Sequence, residues 1–189
     1  MPLTVLDPRT ALVVVDLQQG IVALPLVHPM SDIIDRTRSL LEAFRSHHLP
    51  VVLVNVAGEA PGRTEQPRRH QDLPEGWTEL IPELDPQPDD ILVTKRTRGA
   101  FTGTGLESLL RQIGVTQVVI TGVATSSGVE STASQAYELG FNVTLAIDAM
   151  TDARPEAHDW SLTNVFPRLG ETGTTRQILD LLAARSASK

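Results

Sequence analysis

Asp16 closes the apolar run ALVVVDL, Ala11 to Leu17, where a carboxylate is expensive to bury unless something pairs with it. Lys95 stands directly after another such run, DILVT from Asp90 to Thr94, with Arg96 and Arg98 close behind. An acid and a lysine that end separate strands can meet at one sheet edge, where each becomes the other's charge partner. Several cations near one pocket favour substrates that carry carboxylates. Taken singly, these residues also have plainer readings: Asp16 as a turn residue or cap, Lys95 as a solvated lysine. Gln18 points the same way as Asp16 if the strand continues past it.

A third stretch, GVATSSG from Gly122 to Gly128, leads small residues and hydroxyls into a helix start. A helix N-terminus offers unpaired N–H donors and the positive end of the dipole. Capping by Thr125 or Ser126 is the simpler use of the same residues. Neither glycine-rich phosphate motif occurs. Ser126 or Ser127 would need an adjacent base to act as a nucleophile, and no histidine lies nearby in sequence. His28, His47, His48, His70 and His158 form no HxxxH or HxH pattern, so no metal site is expected. The chain has no cysteine, which excludes disulfides, thiolate metal sites and thiol nucleophiles. Trp77 and Trp160 read as packing residues.

The elements that must position these groups alternate. Strands are expected at Ala11 to Leu17, Val51 to Val56, Asp90 to Thr94, Val115 to Ile120 and Asn142 to Ile147, the last ending at Asp148. A short sixth is expected at Glu171 to Thr175. Helical stripes fall at Ser31 to His47 with Ser31 as N-cap, Thr104 to Ile113, Ser127 to Leu139, Arg154 to Phe166 and Arg176 to Ala184. Gly58 to Pro88 holds six prolines together with Arg63, Arg68, Arg69 and His70, and reads as a cover loop with one helical turn at Trp77 to Ile81. Strand and helix in alternation argue for a parallel sheet with helices on both faces. Ligands then bind at the carboxyl ends of the strands, which is where Asp16, Lys95 and the Gly122 to Gly128 turn fall.

The 189 residues fit a single domain, and apolar and charged shares of 41% and 21% are those of an ordinary globular protein. A formal charge of −7 argues against a nucleic-acid partner. No apolar run approaches the roughly 20 residues of a membrane span. The N-terminus shows neither a signal nor a transit pattern, so a cytoplasmic location is expected.

Three ordered motifs, VVVDLQ, KRTRGAFTGTGLESLL and TGVATSSGVESTASQAYELGFNVTLAIDAMTD, resemble the isochorismatase-like hydrolase family from Ala11 to about Leu182. The resemblance implies a Rossmann-like three-layer α/β/α fold with a six-stranded parallel sheet, a non-proline cis peptide at Val123 and Ala124, and commonly a homodimer or higher homo-oligomer. It also implies a triad of Asp, Lys and usually Cys. Asp16 matches the acid, Lys95 the lysine and Gly128 the cysteine position; Gly99 departs from a frequent serine. Gln18, Arg98, Phe101, Ala124 and Thr125 match positions expected to contact substrate. Thiol-dependent amidohydrolases of the family are thereby excluded as models, and the Asp-and-histidine metal site of nicotinamidases is not found. Isochorismatases look similar in having glycine at this position, although their approach to it is of the type GVYAH and here it is GVATSSG.

The implied reaction is cofactor-independent hydrolysis of a small carboxylated vinyl ether, isochorismate to pyruvate plus dihydroxy-dihydrobenzoate, with Asp16 as general acid, Lys95 holding the carboxyl and Gly128 leaving space. An Asp raised from about 3.9 to about 6 needs roughly 3 kcal/mol of environmental bias. The alternatives are hydrolysis of another small molecule by a water or serine route, and a catalytically silent binding or structural member.

Overall fold

The computed structural model describes residues 3–65 and 73–186. Six strands, β1 (Thr10–Val15), β2 (Val51–Val56), β3 (Ile91–Lys95), β4 (Gln117–Val123), β5 (Asn142–Thr151) and β6 (Glu171–Gly173), form one sheet in the order β3-β2-β1-β4-β5-β6. Every pairing is parallel, as expected for buried β-branched runs joined by helical crossovers. The helices are α1 (Gln19–Val22), α2 (Met30–Ser46), α3 (Leu106–Gln112), α4 (Glu130–Glu138), α5 (Pro155–Trp160), α6 (Phe166–Leu169) and α7 (Thr175–Ser186). The fold is α/β and three-layered, as the strand–helix alternation predicts.

β1 shows why a continuous apolar run suits this place. Its Val13 and Val15 pack into the core that includes Leu106 and Leu110 of α3 and Ala133 and Ala136 of α4. The alternate residues Leu12 and Val14 pack on the other face with Leu40, Leu41 and Phe44 of α2 and Ile178 and Leu182 of α7. A strand in the middle of the sheet therefore has no solvent face to spend on polar residues. Between β1 and β4 the direction of winding reverses. The carboxyl ends of those two strands open the crevice where such sheets bind ligands.

Several boundaries differ from the sequence reading. β5 continues past Asp148 to Thr151, because Ala146 to Ala149 bulge out opposite Thr121 alone between the Ile120–Leu145 and Gly122–Met150 pairs. α2 begins at Met30 with Pro29 in the cap position, so Ser31 lies inside the helix rather than capping it. The helix predicted at Ser127 to Leu139 starts earlier, as a π turn at Thr125–Val129 that runs into α4. The one predicted at Arg154 to Phe166 is α5, a second π turn at Ser161–Val165 and then α6. No helical turn forms at Trp77 to Ile81; a 3-10 turn at Pro82–Leu84 and an isolated bridge between Gln18 and Leu80 organise that stretch. Arg68, Arg69 and His70 lie outside the described residues. Among the described residues no helix is long and apolar enough to cross a membrane.

Candidate active site

Asp16 leaves the sheet at the end of β1 with φ of 53°, a left-handed conformation that Asp tolerates better than most residues. Its backbone N–H still donates to Val54 O at 2.8 Å, so the turn is anchored to β2. The residue is 5% exposed. Lys95 ends β3, two strands away from β1 in the sheet, and is paired in register with Val56 one step beyond the level of Asp16. Its long stem spans β2 and brings Nζ to 2.8 Å from Asp16 Oδ2, with the lysine only 2% exposed. Nζ also donates to Thr97 O at 3.3 Å.

The two oxygens of the carboxyl are therefore unlike. Oδ2 is held by the ammonium, whereas Oδ1 is buried and has no hydrogen-bond partner among the described residues. A buried acceptor without a donor costs on the order of 1–3 kcal/mol, and that cost is relieved if the oxygen carries a proton and donates to an incoming group. Burial raises the Asp16 pKa from 3.8 to about 6, against the attraction and hydrogen bond of Lys95, which pull it down.

The third component comes from β4. Gly122, at φ 119° and in register with Val15, has no room for a side chain: a Cβ there would run into the Val15 carbonyl. The Val123–Ala124 peptide is cis, as the resemblance implied. The π turn then folds Gly128 over the end of β1, so that a Cβ on it would lie 3.0 Å from Asp16 Oδ2 and 3.1 Å from Val15 Cγ1. Asp16, Lys95 and Gly128, far apart in sequence, thus converge on one carboxylate. Thr132 of α4 fixes the glycine from behind, donating to Gly128 O at 2.7 Å while accepting from Ala100 N–H at 3.1 Å.

The residues expected to contact substrate are placed differently from one another. Ala124 and Thr125 form the turn itself, but the Thr125 hydroxyl is buried against His158 Nδ1 at 2.8 Å. Gln18 lies beyond the end of β1, and its amide is occupied by backbone: Nε2 donates to Val56 O and Trp77 O, and Oε1 accepts from Val56 N–H. Phe101 stacks on Phe141 at 5.8 Å in the core, which accounts for its burial. Arg98 is exposed on the loop after Lys95. At Gly99 the Gln135 amide occupies the space a side chain would need and accepts from Phe101 N–H at 3.0 Å, so the missing serine coincides with a filled position.

Four residues at the site carried no weight in sequence. Asp152, just past the end of β5, accepts from Ser126 N–H at 2.7 Å and from Ser126 Oγ at 2.8 Å. His158 of α5 sits against Thr125 and 4.7 Å from the ring of His28, and Thr151 Oγ1 lies 3.0 Å from His28 Nδ1. Burial foremost, and then His28, hold the His158 pKa below the ordinary histidine value. An acid closing an apolar strand was the available signal, the same one that marks Asp16; ending β5 at Asp148 concealed it. Among the described residues no group of three or more His, Asp or Glu side chains is placed to hold a metal ion.

The isochorismatase domain model matches residues 10–177. The isochorismatase family protein YecD of Escherichia coli O157:H7 is 38% identical over 182 residues, covering 92% of this chain and 96% of that protein. An isochorismatase family protein of Burkholderia thailandensis has a solved structure that superposes with a TM-score of 0.90 at 40% identity, covering 95% of this chain and 98% of the other. N-carbamoylsarcosine amidase from Thermoplasma acidophilum matches at a TM-score of 0.73 and 28% identity, over 88% of this chain and 96% of that one.

Proposed function

The chain belongs to the isochorismatase family, and we propose that it acts as a cofactor-independent hydrolase of a small carboxylated vinyl ether, with isochorismate as the model substrate. The observation that carries this reading is the divided Asp16 carboxyl, one oxygen held by Lys95 and the other buried without a donor. A pKa of about 6 keeps a useful fraction of the acid protonated near neutrality.

The step is balanced as follows. Asp16 gives its proton to the terminal vinyl carbon, and the ether oxygen stabilises the resulting oxocarbenium. Water adds to the neighbouring carbon, the one that bears the ether oxygen, and returns a proton to the Asp16 carboxylate. The hemiketal then collapses: the bond between that carbon and the ether oxygen breaks, and the proton of the new hydroxyl passes to the departing oxygen, giving pyruvate and the alcohol. Lys95 keeps the carboxylate form from being too costly as the proton leaves, and Arg98 is the nearby loop cation suited to a substrate carboxylate. Gly128, with no side chain, lets the turn lie directly against Asp16 without crowding its carboxyl.

A second reading, hydrolysis of a different bond by a serine route, draws on the 2.8 Å hydrogen bond from Ser126 to Asp152 and on the amidase relative. A carboxylate is a weaker base than the imidazole such nucleophiles commonly use. Pyruvate release from isochorismate, lost in Asp16→Asn and kept in Ser126→Ala and Ser127→Ala, supports the first reading. Turnover of an amide or ester that is lost on either serine substitution supports the second.

A further inference from the structure

We propose that Asp152 and His158 are positioning residues, which grip the Ala124 to Gly128 turn by its side chains and so set how closely Gly128 lies against Asp16. The inference rests on the reading of Asp16 as the acid. Neither residue touches the Asp16 carboxyl in this structure, so neither is a catalytic residue.

The turn needs such a grip. A helix start leaves its first N–H groups without intrahelical partners, and none of the turn's own side chains caps it. Asp152 fills that role from β5. One carboxylate oxygen takes both the N–H and the hydroxyl of Ser126, while the other accepts from Arg154 N–H at 3.3 Å. His158 takes the neighbouring Thr125 hydroxyl, so two consecutive turn residues are held from one side. The opposite side is held by Thr132 on Gly128 O. Asp152 and His158 are 4% and 6% exposed, so the Thr125–His158 bond is shielded from water and the Ser126–Asp152 bonds are partly so.

The grip is itself braced. Asp152 O accepts from Val27 N–H at 2.8 Å, which ties the segment after α1 to the end of β5. His28, next in that segment, lies tilted against His158 and contacts Thr151. The bulge in β5 is what carries Asp152 to the level of the turn, since it lets β5 follow β4 as far as Val123.

The test is Asp152→Ala with Ser126→Ala, read by carbon-13 titration of the Asp16 carboxyl and by kcat and KM for pyruvate release. Alanine removes the acceptor that an asparagine would keep. Loosening the turn admits water to Asp16, so its midpoint should fall by roughly half a unit or more toward 3.8 in Asp152→Ala. A smaller fall in the same direction is expected in Ser126→Ala, which keeps the backbone bond to Asp152. Along with it, kcat should drop about tenfold or more in Asp152→Ala with KM changed less than about threefold. An Asp16 midpoint and kcat unchanged in Asp152→Ala would overturn the proposal and leave the Asp16 reading standing. If Asp152→Ala does not fold, the midpoint in Ser126→Ala decides alone: a fall supports the grip and no change refutes it. If wild type releases no pyruvate, the function reading fails, and the Asp16 midpoint still decides the positioning role.

Discussion

At the scale of single residues, Asp16 faces two opposing demands. In the proposed reaction the acid must hold its proton near neutrality, yet the lysine at 2.8 Å favours the carboxylate. Burial wins, because it is the largest influence on the group and places it at about 6. The rate follows the protonated fraction, so kcat/KM is expected to fall about tenfold per pH unit above that midpoint. The pH profile of pyruvate release checks this, and carbon-13 titration of Lys95→Met should place the midpoint higher, since both lysine influences lower it. Gly128→Ala sets a Cβ 3.0 Å from Asp16 Oδ2 and 3.2 Å from Val123 O, tighter than ordinary contacts. That variant should lose about tenfold or more in kcat. Its unfolding free energy should stay within about 1 kcal/mol of wild type, because helix propensity offsets the crowding. Steady-state kinetics and urea denaturation separate the two effects.

The elements matter through where they end. β1 and β3 deliver Asp16 and Lys95 at their carboxyl ends, and β4 delivers the turn. This much was legible in the sequence, since an apolar run that closes on a charged residue names both the strand and its end. That Asp16, Lys95 and the Gly122 to Gly128 turn share one edge of the sheet was legible from where the strands end, whereas Gly128 as the third position came only through the resemblance. The bulge at Ala146 to Ala149 was not legible, because the Asp148 inside it reads as the end of the strand. Nor were the π turns, which are a choice of hydrogen-bond partner rather than a pattern of side chains. Both omissions hid Asp152 and His158. Gly122 offers a test at this scale: its positive φ and its contact with the Val15 carbonyl join β4 to β1 under the site. Gly122→Ala should cost about 3 kcal/mol or more of unfolding free energy, measured by chemical denaturation.

For the whole molecule, the same acid couples folding to pH. The folded state binds a proton at Asp16 more tightly than the unfolded chain, between the ordinary 3.8 and about 6. Its contribution is therefore fully present below 3.8 and is lost as pH rises through about 6. Wild type relative to Asp16→Asn should gain stability on acidification across that window, by up to about 3 kcal/mol. His158 works in the opposite sense, since its lowered pKa makes the folded state lose stability as pH falls through the unfolded value of 6.5. Denaturation curves of wild type and Asp16→Asn at matched pH isolate the Asp16 share, because His158 is common to both. The scaffold that bears these costs is a sheet buried on both faces, with Phe44 and Phe166 fully enclosed in opposite layers.

The central claim is that the Asp16 carboxyl, without a thiol beside it, carries the chemistry. Pyruvate release from isochorismate by the purified protein and by Asp16→Asn tests it most directly. Release by wild type, falling as pH rises above about 6 and reduced on the order of a thousandfold or more in Asp16→Asn, is the predicted result. Release that survives the substitution at a comparable rate would contradict it.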